Sequence, residues 1–299
     1  MVFPSLKTTE LDQLKEISPR SAVFSSLQVK VVPSLPLTPH ESLRDLHGMD
    51  VNILETLGSS LTQESIERLE KVTRRQSASI IWKKHRVGRI TASKMHSLYT
   101  LRPQTSRGNV INDILGLKPE IKTKSVKYGM KNEEKARKTY AKFQQEFHKN
   151  FSCITSGLVL NETVPHLGAS PDGLIECDCC GKGCLEIKCL YKYEDGLPGP
   201  YFHGDDNYPP NFPENGYMIC KESEYPLDSE FTLKKSHKYF TQCQGHMMIF
   251  DRSYCDLYLW SQKRSIAVRV DRDDIFITTL KEKLTKEYTE YIAPKLMST

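Results

Sequence analysis

The run from Gly168 to Cys189, GASPDGLIECDCCGKGCLEIKC, constrains the fold more than any other stretch of the chain. A turn presents Asp172 just ahead of a short apolar run, Leu174 to Cys177. A reversal rich in Gly and Cys follows. A second run, Cys184 to Leu190, alternates: Leu185, Ile187 and Cys189 point one way, Glu186 and Lys188 the other. Paired as a hairpin, the two runs bring Asp172 and Glu186 to one end, with Lys188 beside them.

Two carboxylates and an ammonium at one point suit a divalent cation with oxygen ligands. Such an ion would polarise a phosphoryl group and help to deprotonate water, while Lys188 could orient that water or offset developing charge. A surface hairpin whose polar face carries one Glu and one Lys fits the same residues.

The charge distribution points to a polyanion. The net charge is +5 over 299 residues. Residues 1–60 hold five Lys/Arg against seven Asp/Glu, whereas residues 61–100 hold nine against three. This basic field suits a nucleic acid, or it is the solvated face of a helix. No basic stretch followed by an apolar run opens the chain, and no segment approaches the roughly 18 apolar residues of a membrane span. The expectation is an intracellular protein, nuclear or cytoplasmic, with no membrane partner and with its nine cysteines reduced.

Five prolines interrupt residues 1–50, so 1–60 reads as an irregular extension ahead of a domain spanning 61–299. A helix is predicted over Leu61 to about Arg86, with Ser60 and Gln63 at capping-box spacing and a break near Ser77–Ser79. Gly88 permits a turn, and Thr91 or Ser93 can cap a helix from Ala92 to Tyr99. A helix start with hydroxyls and a nearby Arg86 or Arg89 is a phosphate site or simply a capped helix. Tyr128 to Asn150 reads as a helix buried along Ala136, Tyr140, Phe143 and Phe147, with Glu133 near its start. That glutamate could reach a metal from the side or merely favour the helix dipole. Phe151 to Leu160 reads as one strand, with Gly157 at a bulge or a close approach. An insertion at about 191–237 follows, proline-rich up to residue 226, as a clamp or a plain surface loop. Lys238 to Phe250 is helical, with Tyr239 and Gln242 one turn apart, and Gln242 could point at a phosphate. Two paired strands (Tyr254 to Trp260, Ser265 to Val270) and a helix from Asp273 ended by Pro294 complete an α/β or α+β order around a central sheet.

Cys177, Cys179, Cys180 and Cys184 fall within eight residues. Cys177, Cys180 and Cys184 have spacings usable for zinc, with Cys220 or a histidine of the long insertion to complete the set, but no second knuckle is visible. Free thiols in a turn fit as well.

Four ordered stretches resemble the YqaJ-type viral recombinase family, relatives of phage lambda exonuclease within the PD-(D/E)xK, restriction-endonuclease-like superfamily. They are WKKHRVGRITAS (Trp82 to Ser93), GMKNEEKAR (Gly129 to Arg137), Asp172 with Glu186 and Lys188, and YFTQ (Tyr239 to Gln242). The resemblance implies a central mixed β-sheet flanked by helices. It implies catalysis by Asp172, Glu186 and Lys188, assisted by Glu133 and Gln242. Mg2+ (or Mn2+) would be held by Asp172, Glu186, Glu133 and the Ile187 carbonyl. Arg86 and Ser93 would bind a terminal phosphate, with Arg89, Thr91 and Tyr239 nearby on the DNA side. The implied activity is 5′-to-3′ exonuclease action on double-stranded DNA with a 5′ phosphate, in recombination or repair. A homo-oligomer and a single-strand-annealing recombinase are the implied partners. The rivals are an endonuclease on structured or circular DNA, a non-catalytic nucleic-acid-binding module, and a zinc-dependent interaction domain.

Overall fold

A computed structural model of the chain describes residues 34–119, 123–193, 227, 232–262 and 265–298. Most of the 191–237 insertion and Cys220 therefore lie outside the described residues, as does the β-like run at 27–32. Pro36–Thr299 forms one compact unit.

Two short helices come first, α1 (Pro39–Leu43) and α2 (Ile53–Gly58). Thr38 and Glu41 close a capping box on α1, and Pro39 sits in its first turn, where a missing N–H costs nothing. Leu43 and Leu57 are fully buried in the main apolar cluster. Residues 36–60 thus contribute to the core. Helix α3 (Gln63–Thr73) starts two residues later than its sequence suggests: Thr62 and Ser65 cap reciprocally, while Ser60 Oγ accepts the Leu37 amide at 3.0 Å. The expected break is real. A 3-10 turn, Gln76–Ala78, leads to Ser79, which caps α4 (Ile80–Arg86). Gly88 turns the chain at φ 76° into β1 (Ile90–Thr91) and α5 (Ala92–Tyr99). Thr91 occupies the cap position of α5 without a capping hydrogen bond.

Helix α6 (Gly108–Ile114) and the long α7 (Lys124–Gln145) follow. The inward row of α7 is Asn132, Ala136 and Tyr140, one residue every four. Phe143 and Phe147 lie off that row. They are 56% and 66% exposed and pack on each other, contrary to the stripe predicted from sequence.

The predicted strand over 151–160 is two strands in different sheets, β2 (Ser152–Ile154) and β3 (Val159–Leu160). Helix α3 captures the chain between them: Gly157 N donates to Glu70 Oε1 at 3.0 Å and Leu158 N to Thr73 Oγ1 at 2.8 Å. Gly157 is indeed a close approach. A Cβ there would stand 1.9 Å from the Glu70 carbonyl oxygen.

Strand β4 (Leu167–Ala169), unmarked by any local signal in the sequence, joins β1 and β3 in a three-stranded sheet ordered β1-β4-β3. The main sheet is ordered β2-β5-β6-β7-β8, with β5 (Gly173–Cys177), β6 (Gly181–Cys189), β7 (Tyr254–Trp260) and β8 (Ser265–Asp271). The β5–β6 pair is the expected hairpin, with Gly173 opposite Leu185 and Cys177 opposite Gly181. β6 and β7 run parallel and every other pair in this sheet is antiparallel. The sheet is therefore mixed, as expected.

Alternation assigns each face to a helix. Leu185, Ile187, Tyr254, Tyr258 and Trp260 pack with Ala136 and Tyr140 of α7. Cys184, Cys255, Leu257 and Leu259 pack with Phe240, Cys243 and Met247 of α8 (Lys238–Phe250). Helix α9 (Asp274–Glu287) closes the fold. It does not stop at Pro294. A π-helical turn, Tyr288–Ile292, carries the chain into α10 (Ala293–Met297), where proline falls in a first turn. No helix among the described residues is long and apolar enough to cross a membrane.

Gly157→Ala must push α3 away from the β2–β3 connection. We expect a loss on the order of 1–3 kcal/mol. Thermal unfolding should report this as a lower Tm by roughly 2–4 °C per kcal/mol in a chain of this size. An unchanged Tm would show that the connection is slack.

Candidate active site

Strand β6 is central and covered on both faces, so its Glu186 cannot reach solvent. Glu186 is 2% exposed. A buried carboxylate is tolerable only when its lone pairs are met. Oε1 accepts from Lys188 Nζ at 2.6 Å and from Gln242 Nε2 at 2.6 Å. Oε2 lies 2.8 Å from His246 Nε2. Burial pushes the carboxyl up, but Lys188 and His246 overcome it and hold its pKa at about 2. Facing an ionised carboxylate, His246 Nε2 must carry the hydrogen.

His246 is the site residue that sequence reasoning missed. It stands one turn beyond Gln242 on α8, on the same helical face, and is 1% exposed. The i, i+4 spacing of Gln242 and His246 was the available signal.

Asp172 precedes β5, and the hairpin register carries it to β6. Its Oδ2 accepts the Ile187 amide at 2.6 Å, while its carbonyl accepts from Arg137 Nη1 at 3.3 Å. Gln76 braces the preceding residue by donating to the Pro171 and Ser156 carbonyls, each at 3.0 Å. Burial, with the charges of Glu186 and Glu133 added, holds the Asp172 carboxyl well above the usual range. Glu133, on α7, is half-buried, 3.7 Å from Arg137, and likewise raised by burial. Burial opposes the charge of Lys188 too, yet Glu186, Tyr239 and Asp172 raise its pKa, so it remains an ammonium. Its Nζ lies 4.9 Å from the centre of the half-buried Tyr239 ring.

Three carboxylates thus share the site with one lysine ammonium. Among the described residues, Asp172 Oδ1 accepts no hydrogen bond, and Glu186 Oε2 meets only His246. Hard oxygen donors with unused lone pairs and mutual repulsion fit a hard divalent cation such as Mg2+ or Mn2+. Asp172, Glu186 and Glu133 could hold it. Ile187 engages the site through its amide.

The basic segment lies beside this centre. The half-buried Arg86 stacks over Trp82 at 3.9 Å and reaches Ser93 Oγ at 3.4 Å. Burial lowers the Arg86 pKa to about 10, with Asp113 and Glu186 opposing, so the guanidinium stays charged. Trp82 Nε1 in turn donates to Ser170 Oγ at 3.0 Å, two residues before Asp172. Thr91 is buried behind Ser93, its Oγ1 3.4 Å from Ser93 Oγ.

Arg89 borders the same small cavity as Arg86, Thr91 and Lys94 but is turned into the fold. It is 1% exposed, and its guanidinium donates to the carbonyls of His85 (2.8 Å), Leu37 (2.9 Å) and Pro165 (3.3 Å). These bonds commit its guanidinium to backbone carbonyls. The cysteines also divide differently from the predicted set. Cys184 is fully buried beside Cys243, Cys255 and Met247 on the α8 face. Cys177 and Cys180 instead gather with Cys179 and with His148, from the loop after α7.

A family model, the YqaJ-like viral recombinase domain, matches residues 81–253, more than half of the chain, and the chain belongs to that family. The match spans the basic segment, the hairpin, Glu133 and α8. Among curated proteins none matches. In fold the chain is similar to the protein of a SOX–DNA complex, with TM-score 0.51, 12% identity, and coverage of 83% of this chain and 74% of that one. An alkaline exonuclease, LHK-Exo, from Laribacter hongkongensis aligns with TM-score 0.47 and 21% identity over 71% of this chain and 91% of that one. The Shutoff and Exonuclease Protein from Kaposi's sarcoma-associated herpesvirus aligns with TM-score 0.47 and 12% identity over 83% and 76%.

Asp172 supplies a test of this electrostatics. Its raised folded pKa means that the stability tied to its proton is fully present below the unfolded value and lost as pH rises through the folded one. In metal-free buffer at alkaline pH, Asp172→Asn keeps an acceptor for Ile187 and removes the repulsion. We expect a gain of about 1 kcal/mol, read as a rise in Tm of roughly 2–4 °C. The gain should shrink as pH falls. A fall in Tm at alkaline pH would contradict the repulsion.

Proposed function

We propose that the chain is a metal-dependent deoxyribonuclease that hydrolyses double-stranded DNA from a 5′-phosphorylated end. The observation that carries this reading is the convergence of Asp172, Glu186 and Lys188 at one end of the hairpin, with Gln242 and His246 locking Glu186 from α8. Family membership supports a role in recombination or repair. The SOX protein has been captured with DNA, which supports a nucleic-acid substrate.

A divalent ion held by Asp172, Glu186 and Glu133 would polarise a phosphoryl oxygen and lower the pKa of water beside it. Lys188 is held as an ammonium by the Glu186 carboxylate. It donates hydrogen bonds toward the scissile phosphate and offsets the charge gained in the transition state. Gln242 and His246 hold the Glu186 carboxylate in one rotamer. Arg86 and Ser93 face a terminal phosphate as guanidinium and hydroxyl, and their contact sets register along the strand without reading bases.

The test incubates pure protein with linear duplexes bearing 5′ phosphate or 5′ hydroxyl, with closed circular DNA and with RNA, each with and without Mg2+. We expect Mg2+-dependent loss of the linear 5′-phosphorylated duplex and an intact circle. Glu186→Gln and Lys188→Ala should each lose at least about a hundredfold in rate while remaining folded. Arg86→Ala should slow the phosphorylated end more than the hydroxyl end. Cutting of the circle at a matching rate would make the protein an endonuclease. DNA binding without cleavage would make it a non-catalytic module.

A further inference from the structure

The turn of the β5–β6 hairpin, at the end opposite the acidic site, holds a second group of metal-ligating side chains. We propose that Cys177, Cys179, Cys180 and His148 bind one structural zinc ion.

The distances carry the proposal. The four ligand atoms all lie within 4.8 Å of one another. Cys177 Sγ is 3.4 Å from Cys179 Sγ, and Cys180 Sγ is 3.9 Å from Cys179 Sγ. His148 Nδ1 is 3.0 Å from Cys179 Sγ and 3.6 Å from both Cys177 Sγ and Cys180 Sγ. Tetrahedral zinc, with Zn–S about 2.3 Å and Zn–N about 2.0–2.1 Å, requires edges of about 3.8 Å between sulfurs and about 3.6 Å from sulfur to nitrogen. Three of the six edges already match that tetrahedron, and two more, at 3.0 and 3.4 Å, need only open by about half an ångström to admit the ion. All three cysteines are free thiols, and none of these contacts is a disulfide.

The backbone is shaped for the same task. Cys177-x-x-Cys180 is followed by Gly181 at φ 71°, with open space around its Cα. The Cys180 amide donates to Cys177 Sγ at 3.3 Å and so orients that sulfur. A second layer ties the two chain segments: Asn150 Nδ2 donates to Asp178 Oδ2 at 2.8 Å, and Asp178 N to the Lys149 carbonyl at 3.0 Å. Three thiolates and an imidazole are soft and borderline ligands that select zinc over magnesium. Four protein ligands leave no open position, so the ion is structural.

Such an ion would tie the loop that ends α7, the helix of Glu133, to the hairpin that carries Asp172 and Glu186. It stands independently of the reaction proposed above.

The full chain, purified under reducing conditions without added metal and dialysed against citrate to strip carboxylate-held ions, would be analysed by elemental mass spectrometry. We expect one zinc per chain. Cys177→Ser with Cys180→Ser, and separately His148→Ala, should bring zinc well below stoichiometry, while Cys184→Ser should retain it. Because the double variant can misfold, the wild type would also be exchanged with Co2+. The intense visible absorption of tetrahedral thiolate-bound cobalt should appear and should vanish when zinc is restored. Wild-type protein without stoichiometric zinc, with iron in its place, with a disulfide among these cysteines, or with zinc undiminished in both variants would overturn the assignment.

Discussion

A carboxylate buried in the middle of a sheet is the constraint on which this structure turns. Glu186 has strand neighbours on both sides and a helix over each face of its sheet, and water cannot stabilise its charge. Its partners must come from the protein, and they come from two elements. Lys188 is supplied by the same strand, two residues on. Gln242 and His246 are supplied by α8. Meeting that one charge fixes the rotation of α8 against the sheet, because only one helical face carries both residues. Removing a partner would leave a buried charge uncompensated, the costly case for ion pairs.

The opposite face of the sheet is fixed by a second buried acid. Asp256 of β7 accepts from Tyr140 Oη at 2.7 Å and from Arg269 Nε at 2.9 Å. That tie seats α7 on the sheet and so sets where Glu133 stands. The β5–β6 hairpin then works as a lever with chemistry at both ends. Carboxylates occupy one end and clustered thiols the other, separated by the length of β5, about 17 Å at roughly 3.3 Å per residue. Helix α7 and its following loop border both ends. An acidic site held by repelling groups needs such bracing, because its own charges push it apart.

Much of this was legible in the sequence, and the reasons for the rest are physical. The hairpin could be read because a Gly- and Cys-rich reversal between two short apolar runs is a local signal. Asp172, Glu186 and Lys188 could be gathered because strand register carries them together. His246 was overlooked because a histidine among Met247, Met248 and Ile249 looks like core until its partner across the sheet is known. The burial of Arg89 is hidden for the complementary reason: nothing in RITAS shows that three carbonyls from separate segments surround its guanidinium. The single strand expected over 151–160 failed because Glu70 and Thr73, more than eighty residues upstream, split it. Spacing alone groups Cys184 with Cys177 and Cys180, whereas the fold gathers Cys177 and Cys180 with Cys179 and His148. His148 lies about thirty residues before the turn, and alternation along β6 sends Cys184 to the other face.

The central claim is that the hairpin's acidic end is a cation site. Crystals soaked in Mn2+ and measured above and below the manganese absorption edge would test it directly. We predict an anomalous peak bridging Asp172 and Glu186, about 2.0–2.3 Å from a carboxylate oxygen of each, with Lys188 Nζ still close by. A structure in which manganese binds elsewhere, and Asp172 and Glu186 keep only their protein hydrogen bonds, would contradict it.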